Sequence, residues 1–100
     1  IAAAVFVALP MEKVSFETSC NSLGIMLKRG GRIDAAIQAY NKAIEISPAY
    51  PTPYYNLGIL YRDKGDRVAA ASAFSKALKL APDFAAARRE LDRLGGRDGE

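Results

Sequence analysis

The chain contains 100 residues, of which half are apolar, and its 14 basic and 11 acidic residues give a net charge of +3. A chain of this length forms one small domain. It has no histidine and one cysteine, Cys20, so the usual general base, the commonest metal ligand and an internal disulfide are all missing. The composition therefore argues against an enzyme, a metal site or a cofactor. Because basic and acidic residues are interspersed without a dense basic run, it also argues against a nucleic-acid partner.

Residues 1–16 begin with an uninterrupted apolar run, Ile1–Leu9, which is followed by Pro10. This run is too short to cross a bilayer as a helix, which takes about 20 residues. Three interpretations remain open: the end of a signal or anchor segment, the second helix of an earlier, degenerate copy of the repeat described next, or residues introduced with an expression vector. A membrane partner follows only if residues 1–9 belong to an anchor. The compartment is therefore not determined; the cytoplasm is favoured, and membrane anchoring or export are the alternatives.

From residue 17 onwards the chain repeats itself at an offset of 34 residues. Residues 17–50 align with residues 51–84 without a gap, and 11 of the 34 positions are identical. A fixed period in this range is typical of stacked helical repeats. The identical pairs are Thr18/Thr52, Leu23/Leu57, Gly24/Gly58, Ile25/Ile59, Gly31/Gly65, Ala35/Ala69, Ala36/Ala70, Ala39/Ala73, Lys42/Lys76, Ala43/Ala77 and Pro48/Pro82.

Each copy contains two apolar stripes whose members recur every three or four residues, as on one face of a helix. Gly31 and Gly65 follow the first stripe of each copy and are predicted to end that helix in a left-handed conformation. Asp66 and Asp83 are candidate N-caps, and Cys20, on the first stripe, is expected to be buried. The predicted helices cover residues 17–29, 33–46, 51–63 and 67–80.

Gly24 and Gly58 lie inside the predicted first helices, where a glycine costs about 1 kcal/mol relative to alanine. We interpret them, together with alanines of the following helix, as positions where two helix backbones approach closely. Projection of the repeat backwards by one period places Ala2 and Phe6 at the positions of Ala36 and Tyr40. This supports a degenerate earlier copy, although Pro10 falls inside the projected helix.

A third copy begins at residue 83 and stops after one helix. Residues 83–94 are rich in alanine and arginine and form helices readily, and Gly95 and Gly96 end the segment. We interpret it as a capping helix, since a solenoid has to cover its last apolar surface; a recognition helix is the alternative. Residues 95–100 are polar and glycine-rich, which predicts a disordered tail.

The sequence motif of the repeat resembles that of the tetratricopeptide repeat family. The motif runs Leu-Gly-x-x-Tyr, Ala-x-x-x-Phe and Ala-x-x-x-x-Pro at a period of 34 residues. The first copy departs from it at Cys20, where the family has a bulky aromatic residue, and at Leu27. The matching residues are Leu57, Gly58, Tyr61, Ala70, Phe74, Ala77 and Pro82 in the second copy, and Leu23, Gly24, Ala36, Tyr40, Ala43 and Pro48 in the first.

This resemblance implies an all-α solenoid of helix–turn–helix repeats, with repeat 1 at residues 17–50, repeat 2 at residues 51–84 and a C-terminal capping helix. It further implies an interaction module whose first helices line a concave groove that receives a protein or peptide ligand. Two alternatives are an assembly element that associates with itself or with a longer solenoid, and the substrate-selecting region of a larger enzyme. The groove residues expected to contact a ligand are Asn21, Ile25, Lys28, Thr52, Tyr55, Asn56, Ile59, Arg62, Arg89 and Arg93.

One ligand class of the family is not expected here. The carboxylate clamp that holds chaperone tails needs two lysines, two asparagines and an arginine at fixed positions. Of these, the chain matches only the second asparagine, Asn56. Asn21, Ile25, Ala86 and Glu90 occupy the other four, so a chaperone tail would find neither the charges nor the donors that it requires.

Overall fold

The structure, a computed structural model, describes residues 15–96. Within this range every regular element is helical and no strand occurs. The chain is an all-α solenoid of two helix–turn–helix repeats with a C-terminal helix, as the sequence predicts. The interpretations of residues 1–14 and 97–100 lie outside the described residues. The helices are α1 (Phe16–Arg29), α2 (Ile33–Ile46), α3 (Pro51–Asp63), α4 (Arg67–Leu80) and α5 (Ala85–Leu91), which a π-helical turn, Asp92–Gly96, continues.

The turn within each repeat depends on a glycine in the left-handed region. Gly31 and Gly65 have φ angles of 81° and 89°, a conformation that glycine adopts at no steric cost because it has no Cβ. The backbone N–H of Gly31 donates to the carbonyl of Lys28, and that of Gly65 to the carbonyl of Arg62. The predicted helix stops are confirmed, and each turn reverses the chain within three residues.

The predicted N-caps have different outcomes. The Asp66 carboxylate accepts a hydrogen bond from the backbone N–H of Ala69 at 3.0 Å and caps α4. The prediction that Asp83 caps the last helix is wrong. Helix α5 begins one residue later than this prediction requires, and its N-cap is Phe84, which makes no side-chain capping bond. Tyr50, the counterpart of Phe84 in the preceding repeat, also occupies the N-cap position, of α3. The repeat register therefore sets the start of α5, and the capping preference of an aspartate does not override it.

Within each repeat the two helices meet through a glycine and an aromatic ring. A Cβ built on Gly24 would lie 2.5 Å from Cε1 of Tyr40, and a Cβ built on Gly58 would lie 2.5 Å from Cε1 of Phe74. The two glycines lie where the helices meet, as predicted, and each of them admits an aromatic ring. The ring of the second helix rests on the glycine of the first, so the contact is side chain to backbone.

Two apolar clusters hold the solenoid together. One joins the repeats: Ala36 and Tyr40 of α2 are buried with Leu57 and Leu60 of α3. The other joins repeat 2 to the C-terminal helix and contains Ala70, Phe74, Ala77, Leu78, Ala87 and Leu94.

Cys20 is half-buried, so the expectation that it is buried is wrong. Among helices α1–α5, none is both long and apolar enough to cross a lipid bilayer.

Candidate functional site

A cavity of about 310 Å³ opens where α1, α2 and α3 meet. Three of its lining residues, Ile25, Lys28 and Asn56, belong to the predicted groove set, and Arg29 and Tyr40 complete the lining. Lys28 and Arg29 occupy the last turn of α1, where the partial negative charge of the helix end favours cations. The cavity therefore combines an apolar side chain, an amide and two positive charges, a set that suits an acidic and partly apolar ligand.

A hydrogen bond between two asparagines fixes one wall of this region. The Asn56 Nδ2 group donates to Oδ1 of Asn21 at 3.0 Å and links α3 to α1. Asn21 is only 5% exposed, and a buried amide without a partner would be costly. The side chain of Asn21 therefore contributes to the contact between the two repeats. Asn56 also lines the cavity.

The middle of the predicted groove set is packed into repeat 2. The ring of Tyr55 lies 5.7 Å from that of Phe74 and 5.1 Å from that of Phe84, measured between centroids. Ile59 packs against the same cluster, and Thr52, in the first turn of α3, is half-buried. These three side chains present only part of their surface to a ligand.

Two of the three arginines at the basic end of the predicted set, Arg62 and Arg93, form ion pairs within the chain. An NH1 group of Arg62 lies 2.6 Å from Oε1 of Glu90, and its NH2 group lies 3.0 Å from Oδ1 of Asp63. Arg93 reaches the other oxygen of Glu90 at 3.2 Å. The hydrogen bond that Arg62 donates to Glu90, the strongest influence, raises the pKa of Arg62 above its ordinary value. Arg89 is exposed and makes no ion pair with any described residue.

Comparison with known families decides the classification. A model of the TPR repeat matches residues 24–65, and a model of the tetratricopeptide repeat matches residues 51–84. Together they span most of the two predicted copies, and the second match has the same bounds as predicted repeat 2. The chain belongs to the tetratricopeptide repeat family. None of the curated proteins compared with it matches.

In this tetratricopeptide repeat chain, three side chains outside the predicted groove set take part in these contacts. The ring of Tyr40 lines the cavity while resting on Gly24, and Arg29 lines it beside the predicted Lys28. Glu90, which departs from the carboxylate clamp, pairs with Arg62 and Arg93. Its spacing of three residues from Arg93 is the signal that could have revealed an ion pair on α5.

Two larger concavities of the tetratricopeptide repeats contain no residue of the predicted groove set. One, of about 390 Å³, is lined by residues of α2 alone, including Gln38 and Asn41. The other, of about 450 Å³, lies between α3 and α4 and includes Tyr61 and Lys76. Of these three cavities, the smaller one beside Lys28 is lined by three helices and includes residues of the first helices, α1 and α3. Within residues 15–96 no group of three or more Cys, His, Asp or Glu side chains could hold a metal ion.

Proposed function

We propose that this chain, like tetratricopeptide repeats generally, is a protein-interaction module. It receives an acidic, partly apolar peptide or helix in the groove formed by α1, α3 and α5. The cavity beside Lys28 is the anchoring point in this proposal. A carboxylate of the ligand lies between Lys28 and Arg29, an apolar side chain lies on Ile25, and Asn56 bonds the ligand backbone.

The observation that carries the proposal is a difference between the two repeat junctions. Arg62 and Glu90 form an ion pair at the second junction, and their counterparts one period earlier are Lys28 and Asn56. Asparagine cannot neutralise the lysine, and within residues 15–96 Lys28 forms no ion pair. The first junction therefore keeps a positive charge in a place where the second junction supplies its own carboxylate. A carboxylate from another protein would take that place.

An NMR titration with two matched peptides tests this function. The first peptide contains Glu and Leu, and in the second every Glu is replaced by Gln. We expect the acidic peptide to shift amide signals of Ile25, Lys28 and Asn56, and the neutral one to bind more weakly. Added salt should weaken the acidic complex, because exposed charges are screened over about 8 Å at physiological ionic strength.

Two substitutions locate the charge contact. Lys28→Gln should weaken acidic binding by up to about five-fold, which is the range expected for a partly exposed ion pair. Lys79→Gln, on the exposed face of α4, is the matched control and should leave the affinity unchanged. Amide shifts confined to α2 and α4, at residues such as Gln38, Asn41 and Ser75, would place the site on the opposite side and refute the groove.

A further inference from the structure

The two repeats expose equivalent residues to different extents. Leu57 and Leu60 of α3 are 5% and 0% exposed, whereas their counterparts in α1, Leu23 and Met26, are 47% and 65% exposed. The local sequence does not explain this, since Leu23 and Leu57 are the same residue in the same register. The difference lies in what covers each helix. An apolar face of this kind is unfavourable in water, by roughly 25 cal/mol for each Å².

The structure shows which side chains bury the apolar face of α3. Leu57 and Leu60 are buried in one cluster with Ala36 and Tyr40 of the preceding helix, α2. Moving this cluster back by one period of 34 residues gives Leu23 and Met26 on α1, together with Ala2 and Phe6 of the N-terminal segment. All four residues are apolar, and three of them are large. The sequence thus contains the side chains that would complete the same cluster one repeat earlier.

We propose that residues 1–9 cover the exposed face of α1 in the way that α2 covers α3, with Phe6 against Leu23 and Met26. This proposal is independent of the groove, because it concerns the opposite end of repeat 1 and no ligand. It commits to the segment of the same molecule as the occupant of this face.

The connection between the segment and α1 has a suitable length. Four residues, 47–50, join α2 to α3, and α2 ends at Ile46. Pro10 is the counterpart of Ile44, so a helix over the segment has to end at Leu9, since proline cannot continue it. Residues 10–15 then form the link to α1, about two residues longer than the link between the repeats. A cover tethered this closely acts at a high effective concentration, whereas a second molecule has to overcome the entropy of association.

The register also supplies a matched pair of variants in the full chain. Phe6 corresponds to buried Tyr40, and its neighbour Val7 corresponds to exposed Asn41. Phe6→Asp should lower the melting temperature by at least about 5 °C, as expected for a small domain that loses a buried side chain. Val7→Asp should change it by no more than about 2 °C. Equal effects of the two substitutions would overturn the proposal.

A direct contact can be measured on the folded chain without destabilising it. The chain has two methionines, Met11 and Met26, so ¹³C-methyl labelling gives two resolvable signals. We expect a nuclear Overhauser effect between the Met26 methyl group and an aromatic ring, and we expect Phe6→Leu to remove it while the chain stays folded. Absence of this effect in the parent chain would refute the contact.

The same label distinguishes a cover within the molecule from one supplied by a second copy. In an equal mixture of methyl-labelled and ring-labelled chains, the effect should vanish, and sedimentation should give the mass of a monomer. If the effect persists between differently labelled chains, the occupant is the segment of a neighbouring molecule and the proposal is wrong.

Discussion

The ring of Phe74 rests on the backbone of Gly58, so that even a Cβ at this position would lie 2.5 Å from Cε1 of the ring. Tyr40 and Gly24 repeat the relationship in the first repeat with the same distance. The glycine costs helix stability, and the ring that it admits is fully or almost fully buried. Each repeat thus exchanges a weak helical position for a large buried aromatic side chain.

Gly58→Leu should reduce the free energy of unfolding by about 1–3 kcal/mol or more, because the added side chain overlaps the ring of Phe74. Urea denaturation followed by circular dichroism measures this. Gly30→Ala is the control: its φ is −83° and the nearest atom to an added Cβ is 3.6 Å away, so we expect a change within about 0.5 kcal/mol. A melting temperature of Gly58→Leu within a degree or two of the parent would contradict the close contact.

Asp66→Ala should reduce the free energy of unfolding by about 0.5–2 kcal/mol, because it removes the acceptor for the N–H of Ala69 at the start of α4. Asp83→Ala is its counterpart before α5, where no side-chain capping bond exists, and it should be close to neutral. Thermal melts of both variants test the pair. A similar loss in both would mean that Asp83 does cap α5 in solution.

Glu90→Gln should strengthen binding of an acidic peptide and steepen its dependence on salt. Glu90 pairs with Arg62 and Arg93, so its neutralisation removes the carboxylate that competes with an acidic ligand for these two cations. Glu45→Gln is the matched control, since Glu45 pairs with Lys42 on the exposed face of α2. Fluorescence anisotropy at two salt concentrations measures the effect. Unchanged affinity in Glu90→Gln would show that this end of the groove does not contact the ligand.

Tyr40→Phe should make the chain less sensitive to alkali. Burial raises the pKa of Tyr40, so the folded state retains the neutral phenol while the unfolded chain ionises near pH 10. The free energy of unfolding therefore falls as the pH rises from about 10 toward the folded pKa, and the substitution removes this part of the fall. Phenylalanine fits, because Phe74 occupies the equivalent position. Unfolding midpoints between about pH 8 and pH 11 test it; identical slopes would contradict it.

Most of the backbone could be predicted because its determinants are local or periodic. The 34-residue register and the left-handed Gly31 and Gly65 set the predicted bounds of α1–α4 to within one residue of those observed, whereas the last helix, predicted at residues 83–94, is observed at Ala85–Leu91. The prediction of Asp83 as an N-cap is wrong because the capping preference of aspartate and the repeat register indicate different residues. The structure follows the register. The predicted burial of Cys20 is wrong for another reason, since a position on the stripe gives the face of the helix but not how far neighbouring side chains cover it.

The candidate site was less predictable than the fold. Helical spacing placed Ile25, Lys28 and Asn56 on faces of the first helices, and these three residues line one cavity. Helical spacing could not show that the side-chain oxygen of Asn21 accepts a hydrogen bond from Asn56, or that Arg62 forms an ion pair with a residue of α5. Such pairings depend on the angle and offset between neighbouring helices, and a difference of one residue changes the partner. Sequence periodicity gives the face of a helix and leaves open which side chains on that face are already engaged.

The bond between Asn21 and Asn56 has a consequence for how such a chain can be rearranged. It joins residues separated by 35 positions, one more than the repeat period, so the two asparagines are not equivalent positions of the two copies. Their counterparts in the other copies are Tyr55 and Ser22. A chain with its two copies exchanged would place these two side chains at the junction and lose the hydrogen bond. The contact between the two repeats therefore specifies their order. Exchanging the repeats changes this contact although each helical hairpin keeps its sequence.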